Sequence, residues 1–204
     1  MINFRNVAAA SVLALSLSAC MSMDGESDSM SGTQSSSVES SSSERTVTVG
    51  GAPMYPSRNI VENAVNSKDH TTLVAAVKAA GLVETLSGPG PFTVFAPTNA
   101  AFAKLPAGMV ETALKPENRA LLTSVLTYHV VPGRMSAADL MSAIRAGGGT
   151  ARLTTVNGAA LTARVSGRNI VLTDARGGRA TVTQADVFQS NGVIHVTDSV
   201  SLPG

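Results

Sequence analysis

The sequence predicts a single α+β domain, and three observations carry that expectation. Apolar residues recur at helical spacing from about Tyr55 to Ile144. After Thr150 the period drops to two, so helices precede an antiparallel sheet. The chain is 44% hydrophobic but only 3% aromatic and has no Trp, so its core is built of Ala, Val, Leu and Ile. At 204 residues there is room for one domain and an extension. The scarcity of aromatics and a net charge of +1 speak against a base-stacking or strongly basic nucleic-acid binder.

Taken in order, Asn59-Ile60-Val61 with Val65 predicts a short first helix. Thr71 or Thr72 caps a second, where Leu73, Val74 and Val77 form one stripe and Gly81 supplies the C-cap. Leu82, Val83 and Leu86 add a turn before Ser87-Gly88-Pro89-Gly90-Pro91 interrupts the chain. Residues 92–96, bounded by Pro91 and Pro97, read as a short strand. Thr98 caps a turn carrying Phe102 and Leu105. Glu117-Asn118-Arg119 opens a helix with Leu121, Leu122, Val125 and Leu126 on one face, running into Tyr128-His129-Val130-Val131-Pro132. Ser136 caps a last helix through Leu140, Met141 and Ile144, ended by Gly147-Gly148-Gly149. Beyond it, Asn157-Gly158 is the pair favoured in type I′ hairpin turns. Strands are expected at 160–165, 170–173, 180–183 and 193–197.

Upstream of this domain, expected over 55–204, charge is segregated. Residues 1–21 hold Arg5 alone, and residues 22–44 hold Asp24, Glu26, Asp28, Glu39 and Glu44 with no cation. Everything downstream carries 14 cations against 9 anions. Arg5 followed by the apolar run from Val7 to Leu17 has the length and flank of a secretory h-region. Interrupted by Ser16 and Ser18, it is too short to stay as a bilayer span. Residues 1–19 are accordingly expected to be a signal peptide, of the lipoprotein type by the resemblance of Leu17-Ser18-Ala19-Cys20 described below, and 20–54 a lipidated Cys by that same resemblance, with a linker rich in serine and acid. Eleven of the 23 residues at 22–44 are serine, a composition unable to offset the entropy of ordering. Such a spacer has an r.m.s. span of ~25–30 Å.

Leu17-Ser18-Ala19-Cys20 resembles the bacterial lipobox, which implies cleavage before Cys20 and its acylation on sulfur and on the new amine. At ~0.8 kcal/mol per buried CH₂, two or three acyl chains hold a protein on a membrane. Met21, rather than an Asp, follows the Cys, which by the same resemblance implies the outer membrane of a Gram-negative host. Cys20 is the chain's one cysteine, so no intrachain disulfide forms.

Three segments resemble a known domain family. Phe92-Thr93-Val94-Phe95-Ala96-Pro97-Thr98-Asn99-Ala100-Ala101-Phe102, then Tyr128-His129, then the stretch from Asn191 to Pro203 are similar in order and spacing to the first box, the Tyr-His pair and the second box of fasciclin (FAS1) domains. The resemblance covers about residues 57–203 and implies an α+β domain in which two sheets meet in a wedge with helices packed around it. Ser201 stands where a larger apolar residue is usual.

Catalytic chemistry has no footing in the chain. The three histidines are scattered at 70, 129 and 195, without metal-ligand spacing. There is no nucleophile elbow, phosphate-binding loop or dinucleotide fingerprint, and the carboxylates are dispersed. A non-enzyme without cofactor or metal is expected. Tyr128 and His129 read first as a hydrogen-bonded buried pair, and the resemblance also links this region to cell adhesion. Asp186-Val187 stands where animal family members carry an Asp-Ile pair of integrin-binding motifs, which here implies at most an exposed interaction loop; a capping or turn role for Asp186 is the plainer reading. Arg164, Arg168, Arg176 and Arg179 near the hairpins form a solvated rim or a docking site for an anionic glycan, lipopolysaccharide phosphate or an acidic protein.

The function expected from these readings is a lipid-anchored envelope protein that displays its domain for adhesion or for protein or glycan interaction. Its partners are a membrane through acylated Cys20 and an envelope or extracellular protein or anionic glycan, with no nucleic acid. The alternative, implied by pigment-binding family members, is an envelope carrier of a small apolar pigment or lipid held in the wedge.

Overall fold

The computed structural model describes residues 46–204. The expected signal segment, Cys20 and the serine-rich acidic stretch lie outside these residues. The described chain begins with a hairpin where the sequence predicts linker. Val47–Val49 (β1) and Ala52–Met54 (β2) pair antiparallel across Gly50-Gly51, whose φ angles of 58° and 75° suit glycine. Val49, Ala52 and Met54 are buried in the core, so the domain starts upstream of the boundary expected at Tyr55.

Asn59 caps α1 (Ile60–Ala64), its Oδ1 accepting from the Glu62 N–H while Glu62 Oε2 accepts from the Asn59 N–H. α2 (Thr71–Ala80) lacks the local Thr cap expected of it: Asn99 Oδ1, far along the chain, accepts from the Thr72 N–H at 3.0 Å. Gly81 ends α2 in the left-handed conformation, φ 73°. The short α3 (Val83–Ser87) leads into β3 (Phe92–Pro97). Thr98 caps α4 (Asn99–Ala103), accepting from the Ala101 N–H. α5 (Met109–Leu114) follows; with no side-chain cap and no buried residue it left no pattern to read. On α6 (Arg119–Tyr128), Leu122 and Leu126 are buried but Leu121, expected on the same face, is 54% exposed. After β4 (Val130–Pro132), Ser136 and Asp139 form a reciprocal cap on α7 (Ala137–Ala146).

The antiparallel run then follows as β5 (Thr150–Thr154), β6 (Ala160–Ser166), β7 (Asn169–Thr173), β8 (Arg179–Gln189) and β9 (Gly192–Thr197). Between β5 and β6 only Gly158 has a positive φ, at 86°, so the turn is not type I′. The Gly158 N–H donates to Thr155 O, and the Thr155 N–H to Ala159 O, a type I turn closed by a left-handed glycine.

The seven longer-range strands form one sheet in the order β4-β3-β9-β8-β7-β6-β5, antiparallel except for β3 with β9. β8 bends at register shifts between Val182 and Val187, which divides the sheet into two limbs that share it. The ends of the sheet come back together where the Val156 N–H donates to Val130 O at 2.8 Å. Alternation along β3 sends Val94 and Ala96 into one core, under α1, α2, α3 and α6. Phe95 points the other way, into a second core with α7 and the inner faces of β5–β8.

Candidate functional site

β5, β6, β7 and the first half of β8 are buried on one face only. Inward go Ala151, Leu153, Leu161, Ala163, Ile170, Leu172, Ala180 and Val182. Outward go Thr150, Arg152 and Thr154 on β5, Thr162 and Arg164 on β6, Val171 and Thr173 on β7, and Arg179, Thr181 and Thr183 on β8. This is the half-buried alternation of an antiparallel sheet with one wet face. Cross-strand register sets Arg152 opposite Thr162, Thr162 opposite Thr173, and Thr173 opposite Arg179. Three strand spacings put the outer two arginines ~14 Å apart along this row. Arg164 sits in the neighbouring row, between Thr150 and Val171. No outward position of these strands is Asp or Glu, and no ion pair or hydrogen bond among the described residues engages the side chain of Arg152, Arg164 or Arg179. Their guanidiniums are free to take a carboxylate, sulfate or phosphate.

This geometry sorts the residues nominated from sequence. Arg164 and Arg179 stand on the bare face. Arg168 is exposed at the β6–β7 turn, off the face, and Arg176 turns away to donate from Nε to Pro203 O at 2.9 Å, bracing the C-terminal segment. Arg152 completes the set and was missed; its outward position in the alternating Thr150-to-Thr154 run was the available signal.

The other nominated residues serve the interior. Tyr128 is fully buried, its hydroxyl donating to Ala160 O at 2.8 Å and accepting from the Ala175 N–H at 3.1 Å. Burial raises its pKa, with the Ala175 N–H opposing. His129 donates from Nδ1 to Val125 O at 2.8 Å and accepts on Nε2 from the Ser201 N–H at 3.0 Å. Burial lowers its pKa. The pair therefore clamps α6 to the strand turns and to the C-terminal segment, and the Ser at 201 sits 3% exposed in that clamp.

The stretch from Gln184 to Phe188 is not a loop but the bent half of β8. Val187 is 1% exposed, so it meets no partner while the sheet is intact. Asp186 has φ 59°, within what an Asp tolerates, and its Oδ1 accepts from the Ala137 N–H at 2.7 Å, closing the start of α7 from across the fold. Its own N–H donates to His195 Nδ1 at 3.3 Å, and His195 Nε2 donates to Met135 O at 2.8 Å. His195 is fully buried, stacks on Phe95 with centroids 5.6 Å apart, and has its pKa lowered by burial. Among the described residues no group of three or more His, Cys, Asp or Glu is placed to hold a metal ion, and no helix is long and apolar enough to cross a membrane.

A family model described as the fasciclin domain matches residues 68–203. The chain belongs to the fasciclin family. It is 48% identical over 166 residues to protein sll1483 of Synechocystis, covering 81% of this chain and 85% of that protein. It is 40% identical over 145 residues to the immunogenic protein MPB70 of Mycobacterium bovis, covering 69% and 66%. It is 35% identical over 145 residues to the cell surface glycolipoprotein MPB83 of the same species, covering 69% and 58%. Among solved structures, a FAS1 domain pair from the insect cell adhesion molecule fasciclin I superposes with a TM-score of 0.64 at 18% identity, over 72% of this chain and 51% of that one. The fold is thus that of a FAS1 domain, and the relatives of this fasciclin domain include a cell surface glycolipoprotein.

Proposed function

We propose that this protein is a lipid-anchored module of a bacterial envelope, tethered through acylated Cys20 and docking its fasciclin domain on an anionic glycan. The observation that carries the docking is the bare sheet face, where Arg152, Arg164 and Arg179 stand unpaired among threonines with no outward carboxylate. An extended polymer with a charge on each sugar spans ~14 Å in a few residues, so it engages two or three guanidiniums at once, and threonine hydroxyls pair with its alcohols. The lipobox-like stretch at Cys20 and the likeness to a cell surface glycolipoprotein support the anchor.

Polygalacturonate, with neutral dextran as control, tests the docking. Binding is expected to weaken with salt and to fall at least tenfold in the R152Q/R164Q/R179Q triple variant; equal binding by variant and parent overturns it. For the anchor, Cys20→Ala is expected to move the protein from the membrane to the soluble envelope fraction, and unchanged membrane association refutes acylation.

A further inference from the structure

An apolar groove opens on the helical side of the domain, where α5 packs on α6 without burying a residue of its own. Met109 and Leu121, 39% and 54% exposed, both line it, together with Phe102, Leu105, Leu122 and Leu202. Contiguous exposed apolar surface of this kind marks a binding site more often than single exposed residues do. Part of the wall is the C-terminal segment, which is held in place by three hydrogen bonds. The Ser201 N–H donates to His129 Nε2 at 3.0 Å, the Leu202 N–H to Asp174 Oδ2 at 2.9 Å, and Arg176 Nε to Pro203 O at 2.9 Å.

The volume of the groove is about 480 Å³, within the range of sites that take small molecules. Thr112 and Arg176 are the polar residues of its lining, and no acid lines it. Because Pro203 is itself a lining residue, the bond from Nε holds the Arg176 guanidinium at the rim, and its Nη groups have no hydrogen-bond or ion-pair partner among the described residues. An apolar groove with one cation and no anion matches an apolar chain with one anion. A benzene ring fills a cavity of about 150 Å³, or ~25 Å³ per carbon, so the groove admits an alkyl chain of up to about 18 carbons. A neutral apolar molecule leaves Arg176 without a counterion. A second copy of the same surface brings another arginine and no carboxylate to meet the first.

We infer that this groove binds a free long-chain fatty acid, its carboxylate paired with the Nη groups of Arg176 and its alkyl chain between α5, α6 and the C-terminal segment. No strand lines the groove, so it is neither the basic face nor a wedge between the limbs of the sheet, and it uses none of Arg152, Arg164 or Arg179.

Titration of the full chain with dodecanoate tests this, followed by calorimetry and by the methyl resonance of Met109 in methionine-labelled protein. Dodecyltrimethylammonium and hexanoate are the comparisons. Saturable one-to-one binding with a shift at Met109 is expected, about tenfold tighter than for dodecyltrimethylammonium, which has the same tail and the opposite charge. Hexanoate, with half the chain, is expected to bind about a hundredfold more weakly or less. Arg176→Gln is expected to cost about fivefold in dodecanoate affinity, as befits an exposed pair, and nothing for dodecyltrimethylammonium. Arg176→Lys keeps the charge and is expected to retain most of the binding, which separates pairing with the carboxylate from the brace on Pro203. Leu121→Glu sets a carboxylate in the groove at an exposed position, so the fold is expected to survive and dodecanoate binding to be abolished. Equal affinity for the anionic and cationic chains, binding that begins only where dodecanoate forms micelles, or undiminished binding in Leu121→Glu each overturn the assignment. So does a dimer that Leu121→Glu dissociates in sedimentation, which would make the groove a contact between copies.

Discussion

The two limbs of the sheet treat their faces differently. In the β4-β3-β9 limb both faces are covered: Val94, Ala96, Ile194 and Val196 enter the core under the helices, while Phe95 and His195 stack in the opposite direction. Every residue of β9 is buried. The β5–β8 limb buries one face and leaves the other to solvent with threonines and arginines. A strand enclosed on both sides has no surface to offer, so its polar side chains are taken up by internal hydrogen bonds. The limb with a free face is where chemistry can vary without disturbing the core, and there the unpaired charge is found.

The sharpest break of this contrast comes from Phe95→Ala, at the boundary of the two cores. Loss of a 1% exposed aromatic ring is expected to lower stability by ~3–5 kcal/mol in denaturant unfolding. Next is pH. His70, His129 and His195 all have pKa values lowered by burial, so the folded state favours their neutral forms. Unfolding releases them to the ordinary value of 6.5, so below that pH the unfolded chain binds more protons and stability falls as pH drops, levelling off only once the folded histidines protonate. Denaturant midpoints at pH 7.5, 6.5 and 5.5 check this; a flat profile over that range rules it out. Asp186→Ala removes the bond to α7 and puts a less tolerant residue at positive φ, with an expected loss of ~1–3 kcal/mol. Tyr128→Phe strips two hydrogen bonds from a buried ring and is expected to lower stability by ~1–2 kcal/mol. At the small end, the R152Q/R164Q/R179Q variant is expected to unfold within ~0.5 kcal/mol of the parent, as exposed positions do. A large destabilisation there would return these arginines to the scaffold.

Much of the fold was legible because its stop signals are local. Gly81, Thr98 and Ser136 mark helix ends through bonds made within a few residues, and each stands where the sequence puts it. What was hidden depends on distance. Thr72 looks like a cap until Asn99 is folded against it, and three-residue strands carry too little alternation to be told from a linker. The same holds at the site. The wet face shows as alternation, so Arg164 and Arg179 were readable, but the row that joins Arg152 to Arg179 exists only through cross-strand register. Val187 misled because the resemblance to an Asp-Ile pair of animal family members implied an exposed loop, whereas the bend in β8 turns Asp186 toward α7 and Val187 into the core.

The hairpin at the start of the domain also has a mechanical meaning. Load applied upstream of Val47 enters the fold at the open end of a two-stranded ribbon, since Val47 lies opposite Met54. Force directed there peels the pairing one rung at a time instead of shearing all rungs together, and beyond the ribbon it is resisted by Gln184 Nε2 on Thr48 O and the Lys68 N–H on Gly50 O. The ribbon is therefore the first part to yield under tension, ahead of the seven-stranded sheet, and the arginine face stays folded while it does.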